Sequence, residues 1–153
     1  MLTLYFSPGA CSMAAHIALE ESGEEYQAQR VNFADAEQRS EAYLKLNPQG
    51  RVPTLLLDDG EPIAENTAIL PYLGKRFGLW PTDPTAEVRV LSFIGFLAMN
   101  EYSVVDPYLF VFYVWGARRD YPMQELKNFT ALKDKLLQRQ AVQQVLSKEG
   151  IKL

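Results

Sequence analysis

Hydrophobic and polar positions change period several times along the chain. Residues 2–6 read Leu-Thr-Leu-Tyr-Phe, a short run of strand formers. Ser7-Pro8-Gly9-Ala10 ends it, because Pro and Gly interrupt regular structure. From Ser12 the spacing predicts a helix, with Met13, Ile17 and Leu19 on one apolar face and Glu20, Glu21, Glu24 and Glu25 towards water. Gly23 is its natural stop, since glycine tolerates the left-handed cap. Residues 26–33 alternate loosely and predict a second strand. Residues 37–46 predict a short polar helix that ends before Asn47-Pro48. Residues 52–57 predict a third strand, Asp58-Asp59-Gly60 a hairpin turn, and residues 61–64 a fourth strand. Over residues 66–77 the apolar positions Ile69, Leu70, Leu73 and Phe77 fall close to helical spacing, and Gly78 closes the element.

The order β-α-β-α-β-β-α fills residues 1–78 and suits a small mixed sheet with helices packed on it, an α+β domain. Residues 79–84, with two prolines, read as a linker. Beyond it, residues 85–153 read as all-α. Helices are predicted over 85–99, 104–115, 123–139 and 142–148. The second of these is so apolar that burial is expected all round. Ser103-Val104-Val105-Asp106 resembles a capping box with Asp in place of the usual Glu or Gln.

Composition narrows the classes of function. Of 153 residues, 48% are hydrophobic and 22% charged, which is ordinary globular usage. The net charge of -4, with no basic run, argues against nucleic acid and anionic membrane as partners. No segment approaches the roughly 20 apolar residues that span a bilayer, and the N-terminus has no signal-peptide pattern. A single cysteine rules out an internal disulfide and points to a reducing compartment.

Three places carry candidate chemistry. Cys11 stands where strand, loop and first helix meet. Unpaired N–H groups and the helix dipole there favour a thiolate, so a lowered pKa is expected; the alternative is a small buried hydrophobe. Pro53 opens a strand, where a cis bond would turn the backbone groups of Val52 towards an extended peptide; an ordinary trans entry is the alternative. Glu65-Asn66 opens the third helix. Its amides and Asn66 would suit a carboxylate and Glu65 an ammonium group, or Asn66 simply caps the helix. His16, the only histidine, lies more than one turn beyond Cys11 and reads as structural. One His and one Cys do not make a four-ligand zinc site, so no metal is expected.

Taken together these motifs resemble one family. Residues 7–19, Ser-Pro-Gly-Ala-Cys-Ser-Met-Ala-Ala-His-Ile-Ala-Leu, are similar to the opening of bacterial beta-class glutathione S-transferases. Residues 47–55, Asn-Pro-Gln-Gly-Arg-Val-Pro-Thr-Leu, resemble the family's glutathione-backbone loop, and residues 65–73 its Glu-Ser/Asn helix start. The capping box at 103–106 and the closing segment 139–146 resemble the family's buried helix and C-terminal helix. The resemblance implies a thioredoxin-like N-terminal domain followed by an all-helical one. It implies that Cys11 approaches the glutathione sulfur, that Val52, before a cis Pro53, pairs with the tripeptide's main chain, and that Glu65 and Asn66 hold its γ-glutamyl end. The helical domain would supply an apolar electrophile pocket, with Tyr108, Phe112 and Trp115 as candidates; at helical spacing such aromatics are more often plain core. A cytoplasmic homodimer is implied as well.

Departures from the family pattern set further expectations. The chain is shorter than a typical member, and the loss falls at Asn100–Glu101, where helix runs directly into the capping box. A tight turn there with no Gly or Pro favours a stretch omitted from this chain over a natural deletion. The family's helical-domain histidine has no counterpart, and Ala34 stands about where a glutathione-binding basic residue would be. The expected activity is conjugation of glutathione to small electrophiles. The alternatives are monothiol disulfide reduction by Cys11, with no resolving cysteine in the chain, and glutathione binding without catalysis.

Overall fold

The computed structural model describes residues 1–93 and 105–152. Residues 103 and 104 of the capping box, the Asn100–Glu101 junction and the end of the helix expected over 85–99 lie outside the described residues. The four strands are β1 (Thr3–Phe6), β2 (Gln27–Arg30), β3 (Thr54–Leu56) and β4 (Pro62–Ala64). They form one sheet in the order β2-β1-β3-β4, with β1 parallel to β2 and antiparallel to β3, and β3 antiparallel to β4. The helices are α1 (Ser12–Ser22), α2 (Glu41–Leu46), α3 (Asn66–Arg76), α4 (Pro84–Phe93), α5 (Val105–Ala117), α6 (Lys127–Leu137) and α7 (Gln140–Glu149). This is the expected thioredoxin-like β-α-β-α-β-β-α domain followed by helices.

β1 is central because both its faces are apolar. Leu4 and Phe6 enter the main core with α1 and α3, while Tyr5 on the other face joins Val31, Tyr43 and Leu46 beneath α2. β2 is the exposed rim strand and covers only Gln27–Arg30 of the expected 26–33. The single helix expected over 37–46 is broken at Ser40, which takes an extended conformation. Its hydroxyl accepts the Tyr43 N–H at 3.2 Å, capping α2 behind a short 3-10 turn at Glu37–Arg39.

α1 departs most from expectation. In place of one apolar face it is buried all round from Ser12 to Leu19, because α3 packs on one flank and α5 and α7 on others. Its end is as expected, with Gly23 at φ 69. The linker is strapped down. Trp80 is buried, its indole N–H donates to Glu87 at 3.0 Å, and Lys75 pairs with Glu87 at 2.7 Å. Asp83 caps α4 by accepting the Ala86 N–H at 2.8 Å.

α5 carries Phe110, Val111 and Val114 into the core, yet Phe112 is 41% exposed, so its burial is not complete all round. The helix expected over 123–139 is a 3-10 turn at Met123–Glu125 followed by α6. α7 is longer than the expected 142–148 and ends at Gly150 with φ 65. No described helix is long and apolar enough to cross a membrane.

Candidate functional site

The loop between β1 and α1 is closed by Ser12, whose hydroxyl accepts the Ser7 N–H at 3.2 Å and donates to the Ser7 carbonyl at 3.3 Å. That brings Cys11, half-buried, to the N-cap position of α1. Its thiol donates to the Val52 carbonyl at 3.2 Å. The Val52–Pro53 bond is cis. The loop that carries it is held by a buried polar cluster. The Tyr43 hydroxyl and the Asn47 amide donate to the Arg51 carbonyl at 2.7 and 2.9 Å, and the Asn47 amide also reaches the Thr54 hydroxyl at 3.1 Å.

Glu65 precedes α3 with φ 70 and ψ 132, a positive φ that only a few per cent of non-glycine residues adopt. It gives α3 no side-chain cap, so the first-turn amides of the helix are left without one. Asn66 is buried and turned inward: its amide donates to the Cys11 carbonyl at 2.8 Å, and its Oδ1 has no partner among the described residues. The side chain therefore ties the thiol-bearing residue to α3; it does not cap the helix.

A cavity of about 290 Å³ opens beside the thiol, between Cys11, Val52, Gly50, Gln38 and Trp115. Phe33 and Arg51 also line it. Neither these two nor Gln38 carried a signal in the sequence, because they come from loops whose path depends on the fold. Gln38 has a buried oxygen with no partner among the described residues. Arg51 is a cation at the cavity, whereas Ala34, where a basic residue was looked for, is exposed and uncharged. Tyr108, Phe112 and Trp115 form an aromatic ladder along α5, with ring centres 5.2 and 5.4 Å apart. Trp115 reaches the cavity directly. Burial first, then the charges of Cys11 and Glu65, push the Tyr108 hydroxyl's pKa up.

The expected lowering of the Cys11 pKa is overturned. Burial pushes the thiol up, and the Glu65 carboxylate adds to it. The N–H groups of Cys11 and Ser12, and the Arg51 cation, pull the other way but do not win. The cost of removing the charge from water exceeds what two amides and a helix end return. His16 is structural, as expected: it is fully buried, with Nδ1 2.9 Å from Glu149. A larger cleft of about 630 Å³ lies between the end of α1 and the start of α7. It holds no nucleophile, and Arg139 is bound there by Glu21 at 2.5 and 2.6 Å. Size therefore does not identify the site. Among the described residues no group of three His, Cys, Asp or Glu side chains could hold a metal.

Gly50 sits in a close-packed part of the cavity wall. It has φ 62, and a Cβ there would stand 2.7 Å from the Gln38 carbonyl oxygen, which is backbone and has little freedom to retreat. Gly50→Ala is expected to lower stability by more than about 1 kcal/mol, read as a shift of the urea midpoint. An unshifted midpoint would show that the loop has room to spare.

Residues 8–76 match the family model of the glutathione S-transferase N-terminal domain. The chain is similar to glutathione S-transferase GstA of Escherichia coli O157:H7, 26% identical over an alignment of 201 positions that covers 99% of this chain and 100% of the relative. With 153 residues here, the relative carries a stretch that this chain lacks. Among solved structures it is similar to a sphingomonad glutathione S-transferase complexed with glutathione, with a TM-score of 0.87 and 31% identity over 98% of this chain and 100% of the other. A bacterial beta-class glutathione S-transferase from Sphingomonas chungbukensis gives a TM-score of 0.80 and 30% identity over 98% and 100%.

Proposed function

The chain belongs to the glutathione S-transferase family, and from that premise we propose that it holds glutathione in the cavity beside Cys11. As an enzyme of this class it conjugates glutathione, through sulfur, to an electrophile. The observation that carries the placement is the joint at Cys11. Its carbonyl is tied to Asn66 at the uncapped start of α3, and its thiol to the Val52 carbonyl at the cavity. An extended tripeptide fits across that joint. The Val52 main chain pairs with its cysteinyl unit, Pro53 shaping the turn. The first-turn amides of α3, that of Asn66 among them, take the γ-glutamyl carboxylate, and the exposed Glu65 takes the ammonium group. Arg51 is the cation on hand for the glycyl carboxylate.

The cysteinyl N–H would compete with the Cys11 thiol for the Val52 carbonyl. Displaced from it, the thiol is free to donate to the glutathione sulfur and stabilise its thiolate. The thiolate attacks an electrophilic carbon, which loses its leaving group, and catalysis comes from proximity and from holding the sulfur charged. Tyr108, Phe112 and Trp115 form the apolar side of the electrophile pocket. The upward shift of the Cys11 pKa favours this route over direct attack by Cys11 on a disulfide. We read the protein as a cytoplasmic homodimer with domains over residues 1–78 and 85–153. Val88 and Leu91, 64% and 49% exposed on α4, offer apolar surface to a second copy.

The test is conjugation of chlorodinitrobenzene by the full chain with varied glutathione. A rate above buffer that saturates in glutathione is expected. Glu65→Ala is expected to raise KM for glutathione about tenfold or more, the worth of one hydrogen bond to a charged group. No rate above buffer would overturn conjugation, and an unchanged KM would overturn the place given to Glu65.

A further inference from the structure

A further cavity, of about 400 Å³, opens between α5, α6 and the end of the chain. Its walls are Tyr113, Ala117, Arg118, Lys133, Leu137 and Lys152, none of which lines the cavity beside Cys11. Tyr113 and Ala117 stand one turn apart on α5, and Lys133 and Leu137 one turn apart on α6, so each packed helix gives one face to the space between. Ala117 is the shortest of these four side chains and leaves room that a longer one would fill. Three of the six walls are cations and none is an acid, in a chain whose net charge is -4.

Lys133 is held in an unusual place for an ammonium group. Its side chain is only 20% exposed, and Nζ stands 5.7 Å from the centre of the Tyr113 ring. A covered cation is costly unless it is paired. Among the described residues its one ion-pair partner is Asp134, the next residue along, which is itself 57% exposed. An ammonium has three N–H donors, and a single carboxylate oxygen takes one of them. Arg118 and Lys152 have no ion-pair partner among the described residues. Cations grouped around a pocket with apolar walls concentrate their field on an anion inside it. The Tyr113 ring and Leu137 offer the same anion's carbon skeleton a surface to lie on.

We propose that this cavity binds a small aromatic compound carrying one anionic group. The ring lies along Tyr113 and Leu137 in the room left by Ala117, and Arg118, Lys133 and Lys152 hold the acid group. The proposal does not rest on the glutathione reading, because the two cavities share no residue.

Calorimetric titration of the full chain with naphthalene-2-sulfonate is expected to show one site per chain, with an affinity unchanged by excess glutathione. Naphthalen-2-ol has the ring without the charge, and inorganic sulfate the charge without the ring. Each is expected to bind at least about tenfold more weakly. Lys152→Glu is expected to weaken the sulfonate at least about tenfold, by turning one attraction into a repulsion. Ala117→Leu is expected to abolish binding by filling the cavity. Both positions are exposed, so neither variant is expected to unfold the chain, and circular dichroism checks this. Should Ala117→Leu not fold, Lys152→Glu carries the test. No heat of binding, displacement of the sulfonate by glutathione, equal affinity for sulfate or naphthalen-2-ol, or an affinity that either folded variant leaves unchanged would each overturn the proposal.

Discussion

Iodoacetamide is expected to alkylate Cys11 at pH 7 more slowly in the folded chain than in the same chain unfolded by urea. The folded-state rate should climb about tenfold per pH unit past the ordinary thiol value of about 8.5. The cause is burial, reinforced by Glu65, which together outweigh the amides of α1 and the Arg51 cation. The sign for stability follows. Because folding raises this pKa, the neutral thiol contributes stability that is fully present below the unfolded value. That contribution is lost as pH rises through the folded one. A rate that levels off below pH 8 would contradict the burial argument and return Cys11 to the activated thiolate that its place on α1 first suggested. The profile also separates two chemistries. A thiol kept protonated at neutral pH can donate a hydrogen bond to a bound sulfur, whereas disulfide exchange needs it ionised.

Phe110→Ala is expected to destabilise the chain by about 3–5 kcal/mol, a large share of the 5–15 kcal/mol typical of a folded domain. Phe110 is fully buried on α5, in the core that α5 shares with α1. Truncation leaves a void between close-packed helices that neither is free to fill. Urea unfolding followed by far-ultraviolet circular dichroism measures the loss. A change under about 1 kcal/mol would mean that the two helices close up easily and that the core is not set by this ring.

The strand and helix order was legible because each element has a local signature: the run 2–6, the Asp-Gly turn, and glycines where α1 and α3 stop. What misled was environment. Periodicity gives α1 a wet face at Glu20 and Glu21, whose side chains are in fact largely covered, paired with Lys148 and Arg139. It cannot show that Ser12 to Leu19 will be covered by helices more than fifty residues away in sequence. Ser40 breaks the expected 37–46 helix because its hydroxyl caps α2, a competition that composition alone leaves open. At the site, Cys11, Val52, Glu65 and Asn66 could be singled out because helix ends and an X–Pro pair are local features. Gln38, Phe33 and Arg51 could not, since they reach the cavity only through the course of two loops. The inward turn of Asn66 was equally hidden, because its partner, the Cys11 carbonyl, is distant in sequence.

The all-round burial of α1 has a consequence for which ligands the enzyme can accommodate. Ala14, Ala15 and Ala18 act as methyl-sized spacers between α1 and its neighbours, so the mount of the Cys11 sulfur cannot tilt without prising apart a close-packed interior. Any give in the cavity is left to the opposite wall, where Phe33, Gln38 and Arg51 stand. Substitutions on that wall can then reshape the cavity, while the sulfur's mount stays put.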